Sequence, residues 1–280
     1  MSVPEGYASS IGALSYHNVR LVLSGKKAQV AQRAAGFREA TCEYVMQLDD
    51  DMYFRRDCLE KLVREAERRG PMCALAPVFV YTDTGISCQA RIGRPPPSWL
   101  EKKIHGSDLS AAGRITPAGR HLNLDFPPST EDSSFESEWL AGGCVLHYRK
   151  NLVLTDYYPF VAGRDTIKRG RGKEYGEDVI HSVLLRQRGV RLFVVPGAVC
   201  SMDRAIASRL SIPNSLRQIY DEFRWRRYLV GLIDGSELRL ASDILHTYSR
   251  HLLPGLIRRM RDGGLLTNKK RSTPEGSPIS

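Results

Sequence analysis

No Asp precedes Asp49 in this chain, and no apolar run reaches the ~18 residues that a membrane-spanning helix needs. The opening Met1-Ser2-Val3-Pro4-Glu5-Gly6-Tyr7 has neither the basic nor the apolar region of a secretory leader. Its six cysteines (42, 58, 73, 88, 144 and 200) form no C-x-x-C pair and no zinc-ligand spacing. A zinc module and a disulfide-built secreted scaffold are both excluded on that ground. Reduced, mostly buried thiols and a cytoplasmic setting are expected instead. There is no internal repeat, so a solenoid or propeller is excluded as well.

With 280 residues the chain can bury a full core, and 42% hydrophobic and 26% charged residues are ordinary for a globular protein. Lys and Arg number 41 against 31 Asp and Glu, a net charge of +10. That balance suits an anionic partner: a phosphorylated substrate, nucleic acid or an acidic membrane surface. No nucleic-acid module is recognisable, so nucleic acid is not expected.

Strand and helix patterns alternate through the first part. Val19–Leu23 reads as a strand, and Lys26–Ala40 as a helix with Val30, Ala34 and Phe37 on one face. Tyr44–Leu48 is a strand, followed by a helix ending at Arg69 before Gly70-Pro71, then the strand Cys73–Val80. This alternation predicts an α/β fold with a mostly parallel central sheet flanked by helices. Residues 92–137, rich in Pro and Gly, read as a loop-rich insertion. A helix over Asp178–Arg188 and a strand over Val190–Gly197 follow. Residues 213–233 are amphipathic, with Leu216, Ile219, Phe223 and Tyr228 among arginines. The expected division is one domain over 1–235, then a basic helix and disordered tail over 236–280.

The strongest chemical signal is Asp49-Asp50-Asp51 at the end of the strand Tyr44–Leu48. Open α/β sheets bind ligands just beyond the carboxyl ends of their strands. Three adjacent carboxylates repel unless a cation compensates, and an i, i+2 pair suits a hard divalent ion that shares its shell with phosphate oxygens. The alternative is a solvated turn with Asp capping the next helix. No EF-hand fits, because no Gly or spaced ligands follow. A second acidic pair, Glu177-Asp178, opens a helix, where a plain capping role competes with that of a general base. His181, at i+3 from Asp178, reads as a helix-surface neighbour. Trp139 suits the core and a sugar-stacking platform equally.

Four motifs occur in a fixed order: strand-Asp-x-Asp, Trp139-Leu140-Ala141-Gly142-Gly143-Cys144-Val145-Leu146, Tyr175-Gly176-Glu177-Asp178-Val179, and Arg188-Gly189-Val190-Arg191-Leu192-Phe193-Val194-Val195-Pro196-Gly197-Ala198. The ordered set resembles the family 2 glycosyltransferases of GT-A fold over roughly residues 19–230. The resemblance implies a GT-A-like, Rossmann-like sheet that lacks its first one or two strands here. It implies an inverting transfer of sugar from a nucleotide-diphosphate donor to a saccharide or lipid-linked saccharide, in polysaccharide or glycan biosynthesis. Asp178, with Glu177 beside it, falls at the position of the family's catalytic base. Asp49 and Asp51 match the pair that meets the sugar nucleotide and its Mn²⁺ or Mg²⁺, with Asp50 as spacer on the donor side. Arg33, Gly142 and Gly143 match donor-side positions. Ala34 stands where the family often has Asn, and Asp203 lies where a metal-binding His is common. The basic loop 163–176 would serve as a lid over the diphosphate. The basic segment 245–271 would contact an acidic membrane, at the inner face of the cytoplasmic membrane. A catalytically inactive GT-A-like remnant that binds a saccharide or protein is the competing expectation.

Overall fold

The computed structural model describes residues 2–4, 22–24, 28–89, 98–105, 111–126, 133–159, 175–204 and 212–249. In chain order the elements are β1 (Ser2–Pro4), β2 (Val22–Ser24), α1 (Gln29–Glu39), β3 (Tyr44–Leu48), β4 (Met52–Phe54) and α2 (Cys58–Arg69). They continue with β5 (Cys73–Tyr81), α3 (Trp99–His105), β6 (Phe135–Ser137), β7 (Cys144–Tyr148), α4 (Glu177–Gln187), β8 (Arg191–Met202) and α5 (Ile212–Leu232). A last helix, α6, spans 237–249.

Strands β5 and β8 are apolar nearly throughout, so a layer must cover each face. Both faces are covered. Ala74, Ala76 and Val78 of β5 pack with Val179, Ile180 and Val183 of α4 and Trp225 and Leu229 of α5. Leu75 and Phe79 point the other way, onto Cys58, Leu62 and Ala66 of α2. Period-2 alternation along one strand thus feeds two cores. Gly70 and Gly189, at φ +78° and +81°, follow α2 and α4 in backbone conformations that favour glycine.

The α/β class is as expected, but the sheet is mixed rather than mostly parallel. The strand order is β3-β7-β5-β8-β4, with β6 also on β8. Within it β5–β8 is parallel, whereas β3–β7, β5–β7, β4–β8 and β6–β8 are antiparallel. Continuous apolar runs report that both faces are buried, not which way a neighbouring strand runs. The short strands β1, β4 and β6 escaped notice because three residues cannot display a period. β1 pairs in parallel with β2 in a separate small sheet. The β5–β8 ladder breaks between Pro77 and Val78, where Pro196-Gly197 interrupts β8.

The Asp49–Asp51 turn carries the chain from β3 at one end of this strand order to β4 at the other. Gly143 lies under that crossing, since a Cβ there would meet the Met52 Cε.

Within the expected insertion, the segment 111–126 packs against the core. Thr116 and Ala118 are fully buried, and a hairpin turn closes with Thr116 N–H donating to Arg120 O at 2.8 Å. At that turn Gly119, φ +68°, lies against Val230 and the Arg226 carbonyl of α5. Helix α6 docks on the same segment: Arg239 donates to Lys103 O at 3.0 Å and Arg120 to Thr247 Oγ1 at 2.8 Å. On α5 the buried face carries Trp225, Leu229 and Val230 together with Arg226. Residues 250–280 lie outside the described set.

Candidate active site

Arg33 projects from α1 between the two acidic clusters. Its Nη2 donates to Asp49 Oδ1 at 3.2 Å and its Nη1 to Glu177 Oε1 at 2.6 Å. The Asp49 N–H donates to the Gly143 carbonyl at 2.9 Å, fixing the start of the acidic turn. Gln47, buried in β3, donates from Nε2 to the Gly142 carbonyl. A Cβ on Gly142 would lie 3.2 Å from Asp178 Cβ and 3.3 Å from both Arg33 Nη2 and Gln47 Nε2. Arg33, Gln47, Gly142 and Asp178 therefore converge on one spot, with Asp49 and Glu177 attached through Arg33. Asp50 and Asp51 stand exposed on the turn.

The first turn of α4 is set by packing rather than by a side-chain cap. Gly176, φ +75°, precedes it, and the Trp225 ring occupies the space a Cβ would need. Asp178 Oδ1 accepts the Val179 N–H at 2.9 Å. Tyr157 Oη donates to the Glu177 carbonyl at 3.2 Å. Acids here gain from the unpaired N–H groups and the helix dipole.

Three carboxylates (Asp49, Glu177 and Asp178) surround one guanidinium in a largely buried site. Burial works against the Arg33 charge, but Glu177 and Asp49 outweigh it and its pKa is raised. Glu177 is pushed up to about 8 by burial and by Asp178, against the pull of Arg33. Asp178 is raised too, first by burial, with His121 and Arg33 acting in the opposite sense. Burial and the adjoining Asp178 therefore keep a proton on Glu177 well above the ordinary carboxylate range.

That proton has a stability signature. The unfolded chain releases it near the ordinary Glu value of 4.5, while the folded chain keeps it to about 8. The folded state binds more protons between these limits, so stability falls as pH rises through the window. Asp178 adds in the same direction. We expect the urea midpoint to drop between pH 5 and pH 8, and Glu177→Gln to flatten the decline. An equally steep decline in Glu177→Gln would contradict this reading.

Behind Glu177 the site rests on aromatic packing. His181 is not a surface neighbour of Asp178. It is 5% exposed, stacked on Tyr157 at 5.4 Å and close to His147 at 5.4 Å. Burial holds it well below its usual pKa and lowers His147 to about 3, so both rings are neutral. Helical periodicity does place His181 one turn beyond Glu177, but which face is buried depends on α1 packing there. Gln47, His121, His147 and Tyr157 were missed as site residues. A Gln within an otherwise apolar strand, two residues before Asp49, was the one available signal. Trp139 is a core residue: 3% exposed, it donates from Nε1 to Leu122 O at 2.7 Å. The expected lid falls mainly on residues 160–174, outside the described set.

For a divalent cation the turn offers Asp49 and Asp51. Among the described residues no three His, Cys, Asp or Glu side chains gather as a metal cage. Asp203 is engaged elsewhere, accepting from Thr82 Oγ1 at 2.6 Å and Tyr53 Oη at 3.4 Å. Two carboxylates with the remaining positions left to phosphate and water suit Mg²⁺ or Mn²⁺, which keep waters and share substrate oxygens. One Asp49 oxygen is taken by Arg33, which leaves its other oxygen and the exposed Asp51 carboxylate as the i, i+2 donors of that chemical type on the turn. No helix among the described residues is long and apolar enough to cross a membrane.

Residues 5–113 match the family model for glycosyl transferase family 2. Among solved structures, the chain is similar to the crystal structure of GalNAc-T7 with UDP, GalNAc and Mn²⁺, with a TM-score of 0.49 and 16% identity. The alignment covers 77% of this chain and 39% of that one. No curated protein matched.

Proposed function

We propose, from the glycosyl transferase family 2 match over residues 5–113, that this chain moves a sugar from a nucleotide-diphosphate donor to a hydroxyl of a saccharide or lipid-linked saccharide. The observation that carries the reading is the Arg33 bridge. It joins Asp49, on the acidic turn and 16 residues from Arg33, to Glu177, beside the candidate base and 144 residues from Arg33. A donor-binding acid and a proton-accepting acid brought together through one guanidinium are the minimum such a transfer requires.

Asp178 is the base. It takes the proton of the acceptor hydroxyl as the new bond to the anomeric carbon forms, and the departing diphosphate carries away the bonding pair. One base and one displacement imply inversion. No second carboxylate is needed as nucleophile, unlike in retaining hydrolases. Arg33 supplies fixed positive charge beside the leaving group, and the Gly142 backbone, held by Gln47, shapes the floor. Asp49 and Asp51 would hold the divalent ion, which neutralises charge on the diphosphate when bound.

A ligand that binds the native state raises its apparent stability. A thermal-shift panel of UDP-, GDP- and dTDP-sugars with Mn²⁺ is expected to raise Tm with at least one donor. EDTA or Asp51→Asn should remove that rise while leaving the Tm of the free protein unchanged. The absence of any donor-dependent shift would defeat the reading.

A further inference from the structure

Ser182 belongs to neither acidic motif and lies one turn of α4 beyond Asp178. Its side chain is buried, and its one hydroxyl makes two hydrogen bonds. Oγ donates to the Asp178 carbonyl at 2.8 Å and accepts the Leu140 N–H at 3.0 Å. A serine that bonds back to the carbonyl four residues earlier is ordinary in helices and by itself implies nothing. The bond from Leu140 is different, because it crosses 42 residues of sequence from the stretch that leads into Gly142. Two residues beyond Leu140, the Gly142 backbone lies against Asp178, where a Cβ would stand 3.2 Å from Asp178 Cβ. The hydroxyl therefore closes a ring that runs from the Asp178 carbonyl through Ser182, Leu140 and Gly142 back to the Asp178 side chain. We propose that Ser182 is a positioning residue, holding the first turn of the base helix in place against the glycine floor of the site. Its catalytic consequence rests on the transferase reading; the ring itself does not.

The Gly142-Gly143 segment is held from two sides. Towards the acidic turn, Gln47 Nε2 donates to the Gly142 carbonyl and the Asp49 N–H to the Gly143 carbonyl at 2.9 Å. Neither of these bonds reaches α4. On the base side the tie runs through Ser182. Donation to the Asp178 carbonyl fixes the rotation of the hydroxyl and turns a lone pair toward the Leu140 N–H. Alanine would keep the helix but leave that buried N–H without its acceptor, so the segment could shift against α4. A misplacement of about 1 Å between reacting groups can cost about a hundredfold in rate. The donor side, gripped by Gln47 and Asp49, would keep its place.

Kinetics and hydrogen exchange on the full chain test this. In Ser182→Ala, kcat at saturating donor should fall about 10–100-fold while the donor-induced thermal shift persists. Ser182→Thr, which restores the hydroxyl, should recover most of that loss. Val183→Ala, a truncation in the same helix that takes part in neither bond, should lower Tm yet keep kcat near that of wild type. A similar fall in kcat in Val183→Ala, or no recovery in Ser182→Thr, marks a general loosening of α4 and overturns the proposal. An unchanged kcat in Ser182→Ala overturns it too. Independently of turnover, the Leu140 amide should exchange with solvent about tenfold faster in Ser182→Ala, with the amides of β7 unaffected. An unchanged Leu140 rate overturns the ring. If Leu140 loses protection while wild-type protein transfers no sugar, the ring stands and the transferase reading fails.

Discussion

Asp178→Asn is expected to lower sugar transfer by about 10²–10⁴-fold, the usual contribution of a positioned general base. The substitution is nearly isosteric. Its side-chain oxygen can still accept the Val179 N–H, now at 2.9 Å from Asp178 Oδ1, so the first turn of α4 keeps its geometry. What disappears is the capacity to take the acceptor's proton. Donor binding should persist, because Arg33 still joins Asp49 and Glu177. The free protein should be at least as stable as the wild type above neutral pH, since burial opposes ionisation of Asp178. The check is the transfer rate at saturating donor, together with the donor-induced thermal shift. A variant within threefold of wild type in rate would remove Asp178 from the role of base. Loss of donor binding along with rate would instead mark it as structural.

The sequence disclosed whatever local patterning dictates. Val30, Ala34 and Phe37 repeat at helical spacing, and all three are buried on α1. Asp49 follows an apolar strand and does sit where the chain leaves the sheet. Glu177 and Asp178 do open a helix. What stayed hidden depends on long-range packing. Nothing local reveals that Arg33 bridges the two acidic clusters, for its partners are 16 and 144 residues away. Strand direction was equally hidden, because burial on both faces makes parallel and antiparallel neighbours look alike. The segment 111–126 read as loop because Gly and Pro mask its short bridge, Ile115 to His121. Its order comes from Trp139, α5 and α6, each distant in sequence. Arg226 is the sharpest case. An arginine-rich helix reads as solvated, yet this one side chain is 1% exposed.

Asp243→Ala is therefore expected to destabilise the fold by about 3–5 kcal/mol, although it lies far along the chain from either acidic motif. Asp243 is fully buried on α6 and accepts from Arg226 Nη2. The same Nη2 donates to the Ala118 carbonyl at 2.8 Å, and Nη1 to Glu222 Oε1 at 3.0 Å. Arg120 approaches Asp243 as well, at 3.5 Å. Alanine would leave the Arg226 guanidinium desolvated, with Glu222 as its remaining acid partner. The paired replacement Arg226→Met with Asp243→Leu removes both charges and should cost much less than Asp243→Ala alone. Urea denaturation of the three proteins measures this. A small loss in Asp243→Ala, of the size seen for an exposed pair, would show that water reaches the guanidinium.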